Sequence, residues 1–207
     1  MPREIVLASG NRGKLAELAA MLATCEVSVR PQADFAVPEA DEDGLTFVEN
    51  ALKKARNAAR YSKRPALADD SGIAVDALSG APGIHSARYA GAGASDAQNL
   101  AKLLRDMADV PDGQRQCRFI CVIAFLRHAD DPTPIICQGE WAGAVLRAPR
   151  GDAGFGYDPV FHVPDRDCTA AELEPAVKNS ISHRGRALGE FVSAFQRLYV
   201  SDTKSPR

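Results

Sequence analysis

The stretch EIVLASGNRGK, residues 4–14, constrains the fold more than any other part of the chain. A short apolar run ends in a turn of small residues, and a helical pattern follows with Leu15, Leu18 and Leu22 on one face. Strand, glycine-containing turn and helix in that order open an α/β fold. The segment EVSVR (26–30) alternates and reads as a second strand. Thr46 followed three residues later by Glu49 forms a capping box, so a helix starts there and turns Phe47, Ala51, Ala55 and Ala58 inward.

Residues 65–68 read as a short buried strand that delivers Asp69 and Asp70 at its C-terminal end, with a further strand over 73–78. A Gly- and Ala-rich loop fills 79–95, and Ser95 with Gln98 caps a helix to about residue 108. Residues 118–127 and 134–145 read as antiparallel neighbours, and 150–161 is a second Gly-rich loop. Thr169 and Glu172 cap a short helix. The last helix starts near Ser182 and buries Leu188, Phe191, Val192, Phe195 and Leu198. The tail SDTKSPR reads as disordered from about 201. No repeat or sharp linker divides the chain, so the expectation is one domain over residues 1–207.

Composition narrows the function. Apolar residues make up 45% of the 207 and charged residues 25%, ordinary for a soluble globular protein. The formal net charge of −2 lacks the basic excess of a duplex nucleic-acid binder, so no nucleic-acid partner is expected. A local cluster of Lys and Arg still suits a compact anion. The five cysteines, Cys25, Cys117, Cys121, Cys137 and Cys168, are odd in number and show no ligand spacing. They read as reduced thiols of a cytoplasmic protein. No signal peptide opens the chain, and no stretch reaches the roughly 18 apolar residues of a membrane span, so no membrane partner is expected.

Several clusters can carry chemistry. In SGNRGK (9–14), small residues let backbone N–H groups approach an anion, a helix N-terminus adds positive potential, and Lys14 adds a charge. An ordinary strand–helix turn fits the same six residues. Asp69 and Asp70 suit a metal or an activated water, or a solvated turn. The acidic loop Glu39, Asp41, Glu42 and Asp43 offers a second metal ligand, or a solvated loop. Phe155 and Tyr157, among glycines in GFGYD, suit stacking on a base or packing in a core. His183 opens the last helix as a cap, a packing residue or a ligand contact. Together these groups supply phosphate donors, a metal carboxylate, a stacking aromatic and polar groups able to read a base, a set that suits a nucleoside triphosphate.

Six blocks then stand in one order: SGNRGK at 9–14, GLTFVENALKKA at 44–55, ADDSGIAVDAL at 68–78, GAPGIHSARYAG at 80–91, AGFGYDP at 153–159 and SHRGRAL at 182–188. In these blocks the chain closely resembles the inosine triphosphate pyrophosphatase family, and within it the bacterial dITP/XTP pyrophosphatases, over about residues 5–198. The resemblance implies an elongated α/β fold, a mixed twisted sheet with flanking helices in two lobes around a central cleft, working as a homodimer. It implies Mg²⁺-dependent hydrolysis of ITP, dITP and XTP to the monophosphate and pyrophosphate, which cleanses the nucleotide pool.

Carried over by position, Ser9, Gly10, Asn11, Arg12, Gly13 and Lys14 bind triphosphate, and Lys54 faces phosphate. Asp70 is the proton acceptor and a metal ligand, and Ser71 touches substrate. Phe155, Gly156, Tyr157 and Asp158 line the base with Phe155 stacking, and Lys178, His183 and Arg184 complete its pocket. Asp41 is the best match for a second metal carboxylate, with Glu42 close behind. Ser9 stands where the family commonly has Thr, and Ala153 where Gly is frequent. Rival readings are a pyrophosphatase for other modified nucleotides, a nucleotide sensor without turnover, and a phosphomonoesterase that would release orthophosphate.

Overall fold

The computed structural model describes residues 4–10, 15, 19 and 27–200. Of the sequence-derived features, Asn11, Arg12, Gly13, Lys14, Leu18, Leu22, Cys25 and the tail from 201 lie outside the described residues. Seven strands pair in the order β2-β1-β3-β4-β5-β6-β7. They are β1 (Glu4–Leu7), β2 (Ser28–Pro31), β3 (Ala66–Val75), β4 (Gln116–Leu126), β5 (Ile135–Val145), β6 (Phe161–Val163) and β7 (Cys168–Thr169). The α-helices bounded within the described residues are α1 (Phe47–Ser62), α2 (Asp96–Asp106), α3 (Pro175–Ile181) and α4 (His183–Val200). β1 runs parallel to β2 and β3, whereas β6 is antiparallel to β5 and β7, so the sheet is mixed as expected. β4 and β5 are neighbours joined by the short connection 127–134, which is too brief for a parallel crossover. The fold is α/β with helices flanking a mixed sheet. No helix among the described residues is long and apolar enough to cross a membrane.

The chain forms two compact units, and the dividing points fall inside β3, β4 and β5 and at the start of α4. The first unit holds residues up to Asp70, Cys121–Gly139 and the stretch from Arg184 onward. Its central strands β1, β3 and β4 are buried on both faces, as strands covered on both sides must be, whereas β2 at the sheet edge is not. Alternation along β1 sends Ile5 and Leu7 to one face, where Leu67, Ile123 and Phe125 meet Leu188, Phe191 and Phe195 of α4. Val6 goes to the other face, where Ala66, Ala68, Val122 and Ala124 meet Ala51, Ala55, Ala58 and Ala59 of α1. The alanines let α1 lie close to the sheet, and that closeness brings its polar residues within reach of β3.

The second unit holds Ser71–Ile120 and Glu140–His183 around one core of Ile73, Leu103, Phe119, Trp141, Tyr157 and Phe161. Ser95 caps α2 in a complete capping box with Gln98. Thr169 and Glu172 form the same box on a single 3-10 turn, Ala170–Glu172, shorter than a helix.

Three sequence expectations change. Asp69 and Asp70 do not end a strand. β3 runs unbroken through DDSG, and the second strand read over 73–78 is its continuation, which stops at Val75. Gly72 permits this: a Cβ there would lie 2.3 Å from the Gly83 carbonyl oxygen and 2.5 Å from Ser86 Oγ, so only glycine lets strand and neighbouring segment approach. Residues 79–95 are not all loop, since Gly83–Arg88 forms a 3-10 helix, and the Ile73 N–H donates to Ser86 Oγ within that segment. α3 has no counterpart in the sequence reading. Its seven residues are too few to show a period, although Pro175 marks its first turn.

Candidate active site

In the first unit the geometry centres on Asp70. Thr46 caps α1, its Oγ1 accepting the Glu49 N–H, while the Glu49 carboxylate accepts the Leu45 N–H at 2.9 Å. The helix so fixed places Asn50 and Lys54 one turn apart, facing β3. Lys54 Nζ donates to Asp70 Oδ1 at 3.0 Å, and Asn50 Nδ2 donates to Asp70 Oδ2 at 3.4 Å. Glu42 Oε1 approaches the same ammonium at 3.5 Å. Burial disfavours the charged ammonium, but Asp70, Asp69 and Glu42 outweigh it and hold the Lys54 pKa above its ordinary value. Asp69 is buried too and faces Arg184, whose Nη2 lies 3.7 Å from Asp69 Oδ2. Adjacent strand residues point to opposite faces, which is how two like carboxylates stand side by side in the chain yet take different cations.

The parallel register pairs Leu7 with Leu67, so Ser9 and Asp69 each stand two residues beyond the same rung. The strand that leads into the expected phosphate segment is therefore the neighbour of the one that carries the carboxylates. Asp41 is placed elsewhere: it lines a surface depression with Glu39, Asp43, Lys53, Arg56 and Asn57. Glu42, and not Asp41, is the acidic-loop residue that shares a lysine with Asp70.

In the second unit the loop 153–158 is built around Asp158. Its Oδ2 accepts the Phe155 N–H at 2.8 Å and Lys178 Nζ at 2.7 Å, and both Asp158 and Lys178 are buried. Gly154 has φ +78°, and a Cβ there would sit 2.2 Å from Asp158 Oδ2, so the loop requires glycine at that point. Lys178 Nζ stands 4.9 Å from the Phe155 ring centroid, a cation–π contact. Asp96 Oδ2 accepts the Gly156 N–H at 2.8 Å. Tyr157 is not an exposed stacker but a core residue whose hydroxyl donates to the Ser86 carbonyl at 2.8 Å. His183 is buried with its ring against Phe119, centroids 4.7 Å apart and planes at 15°.

The structure thus gathers Lys54 with Asp70, and Phe155, Asp158 and Lys178 with one another. Sequence reasoning missed Asn50, Asp96 and Phe119 as neighbours of these groups. For Asn50 a signal existed: it stands four residues before Lys54, the spacing that puts both on one helix face.

The model of the Ham1 family matches residues 5–194 of this sequence. The chain belongs to the Ham1 family. Among its relatives, the dITP/XTP pyrophosphatase of Vibrio cholerae is 56% identical over 194 residues, covering 94% of this chain and 97% of the relative. The dITP/XTP pyrophosphatase of Escherichia coli K12 is 55% identical, covering 94% and 98%. A solved HAM1 protein from Coxiella burnetii superposes with a TM-score of 0.88 at 50% identity, covering 95% of this chain and all of that one. Membership in the Ham1 family agrees with the resemblance carried by the six sequence blocks, and the match to the solved HAM1 protein extends over nearly all of both chains.

Proposed function

We propose that this Ham1 family chain is a nucleoside-triphosphate pyrophosphatase that hydrolyses the deaminated purine nucleotides dITP, ITP and XTP to the monophosphate and pyrophosphate. The observation that carries this reading is the shared lysine of Asp70 and Glu42, found in a chain 56% identical over 194 residues to a dITP/XTP pyrophosphatase. Water attacks the α-phosphorus. A bond from the water oxygen to phosphorus forms, and the bond from phosphorus to the bridging oxygen of the β-phosphate breaks. Pyrophosphate leaves with that electron pair. Asp70 takes the water's proton as general base. Lys54 lies beside it as a fixed cation for the charge that develops on the phosphates. No covalent intermediate is needed.

Asp70 and Glu42 also suit Mg²⁺. Among the described residues no cluster of three or more His, Cys, Asp and Glu could hold a metal. Mg²⁺ does not need one, since it commonly takes one or two carboxylates together with waters and substrate phosphates. Asp70 and Glu42 supply hard oxygen donors that both approach one ammonium, which favours Glu42 over Asp41 as the second carboxylate, the two candidates the sequence offered. When bound, Mg²⁺ supplies charge neutralisation and orientation of the phosphate oxygens.

The triphosphate end of the substrate is assigned to Ser9–Lys14 and Lys54, and Ser71 touches substrate. The purine end is assigned to the Phe155 face, the Asp158 and Lys178 pair, and donors from His183 and Arg184. Hypoxanthine and xanthine carry an oxygen at position 6 that accepts from such donors, whereas adenine offers an amine that leaves them unpaired. Homodimeric assembly and a cytoplasmic location extend the reading by family resemblance, and the free thiols of Cys117, Cys121, Cys137 and Cys168 suit a reducing compartment. Specificity constants test the proposal. Those for dITP, ITP and XTP should exceed those for ATP and GTP by about a hundredfold or more, within the range that buried hydrogen bonds allow. Equal constants across the five would overturn the substrate assignment.

A further inference from the structure

Asn50 is fully buried on a helix face otherwise built of alanine, and both ends of its amide are used. Its Oδ1 accepts the Gly44 N–H at 2.8 Å, and its Nδ2 donates to Asp70 Oδ2 at 3.4 Å. The Gly44 contact fixes the amide's orientation, because a backbone N–H needs the oxygen, and the NH₂ group must then face the carboxylate. Lys54, four residues on, takes the other Asp70 oxygen at 3.0 Å. One face of α1 therefore holds both oxygens of Asp70.

Gly44 makes the close approach possible: a Cβ there would lie 2.6 Å from Asn50 Oδ1 and 2.8 Å from Glu49 Cβ. Gly44 ends the acidic loop that carries Glu42, and Glu42 reaches the same Lys54. A residue needed only to anchor Gly44 would require an acceptor and nothing more. Asn50 adds a donor, and that donor goes to Asp70.

We propose that Asn50 is a positioning residue, whose amide sets the orientation of the Asp70 carboxylate and ties the Glu42 loop to it, so that the two carboxylates are placed together for a divalent cation and for proton transfer. The inference rests on the reading of Asp70 as general base. Partners that orient a ligating carboxylate typically matter by about 10–100-fold in metal affinity or activity.

In Asn50→Ala, Mn²⁺ added alone to the nucleotide-free protein and followed by the free-ion electron paramagnetic resonance signal should bind about tenfold more weakly, and kcat on dITP with Mg²⁺ should fall by about 10–100-fold. KM for dITP should change less than about threefold, since the contact orients the reacting groups and does not hold the nucleotide. If Asn50→Ala does not fold, Asn50→Asp carries the test through kcat, because it keeps an acceptor for the Gly44 N–H while turning an oxygen toward Asp70. A kcat loss of at least tenfold in that folded variant supports the proposal. A folded variant that keeps wild-type kcat overturns it, as does a lowered melting temperature with kcat and Mn²⁺ affinity unchanged, because Asn50 would then serve the fold alone. Asp70→Asn is the control. If that variant remains active, the assignment of Asp70 fails and not merely the role of Asn50.

Discussion

Asp70 and Asp158 are both buried carboxylates beside a lysine, yet their surroundings give them different work. Asp158 organises its own loop, accepting the Phe155 N–H and closing against Gly154, and takes Lys178 of α3. Asp70 is held by side chains of α1, and its strand leads into the segment where substrate contact is expected. Asp70→Asn keeps the shape and removes charge and basicity, so kcat should fall by about 10²–10⁴-fold while the thermal midpoint stays near wild type. A kinetic and melting comparison of the two proteins checks this.

Asp131 is a third case, purely structural. Its carboxylate accepts from the Arg127 backbone N–H at 3.0 Å, from Arg127 Nη2 at 2.6 Å and from the Thr133 N–H at 3.0 Å. The Arg127 bond chiefly holds its pKa well below the usual carboxylate range, outweighing burial. A depressed pKa contributes stability that is present above the unfolded value, about 4, and is lost as pH falls. Asp131→Asn should therefore be less stable than wild type at pH 7, with the gap closing toward pH 3 in urea unfolding at both values. Residue identities such as Lys54, Asp70 and Phe155 were legible because they stand in motif blocks and carry a charge or ring that the chemistry asks for, and Lys178 came from the family resemblance alone. Asn50 stands in a block too, but it was not legible, because a polar residue inside a helix reads as solvent-facing until the alanine face around it is seen to be the buried one.

β3 is the element in which sequence and structure part most clearly. Asp-Asp-Ser-Gly carries the composition of a turn, and local propensity breaks the strand there. Tertiary pairing overrides it: the buried run on both sides of DDSG keeps the backbone extended, and Gly72 removes the one side chain that would collide with Gly83 and Ser86. Gly72→Ala should lower stability by about 1–3 kcal/mol, the range for forcing extra volume into a packed site, measured by urea unfolding. Caps fared better, because they are local. Thr46 with Glu49 and Ser95 with Gln98 start helices where the residues placed them. The opening strand was also readable, as β1, whereas α3 was too short for periodicity to find.

At the scale of the whole molecule the α/β class and the mixed sheet followed from the order of strand and helix signals. Two lobes were expected only from the family resemblance, and the dividing points of the two compact units were not legible, because they fall inside long strands where no linker composition marks them. Function came from the ordered set of blocks and from Ham1 family membership, and geometry then chose between alternatives the sequence left open, with Glu42 beside Lys54 and Tyr157 in the core, and added Asn50 behind Asp70. The central claim is that this arrangement breaks the bond between the α- and β-phosphates. The most direct measurement incubates the purified protein with dITP and Mg²⁺ and separates the phosphate products by ion-exchange chromatography. The expected products are dIMP and pyrophosphate in equal amounts with no early orthophosphate. Orthophosphate with dIDP, or orthophosphate released from a nucleoside monophosphate, would contradict it.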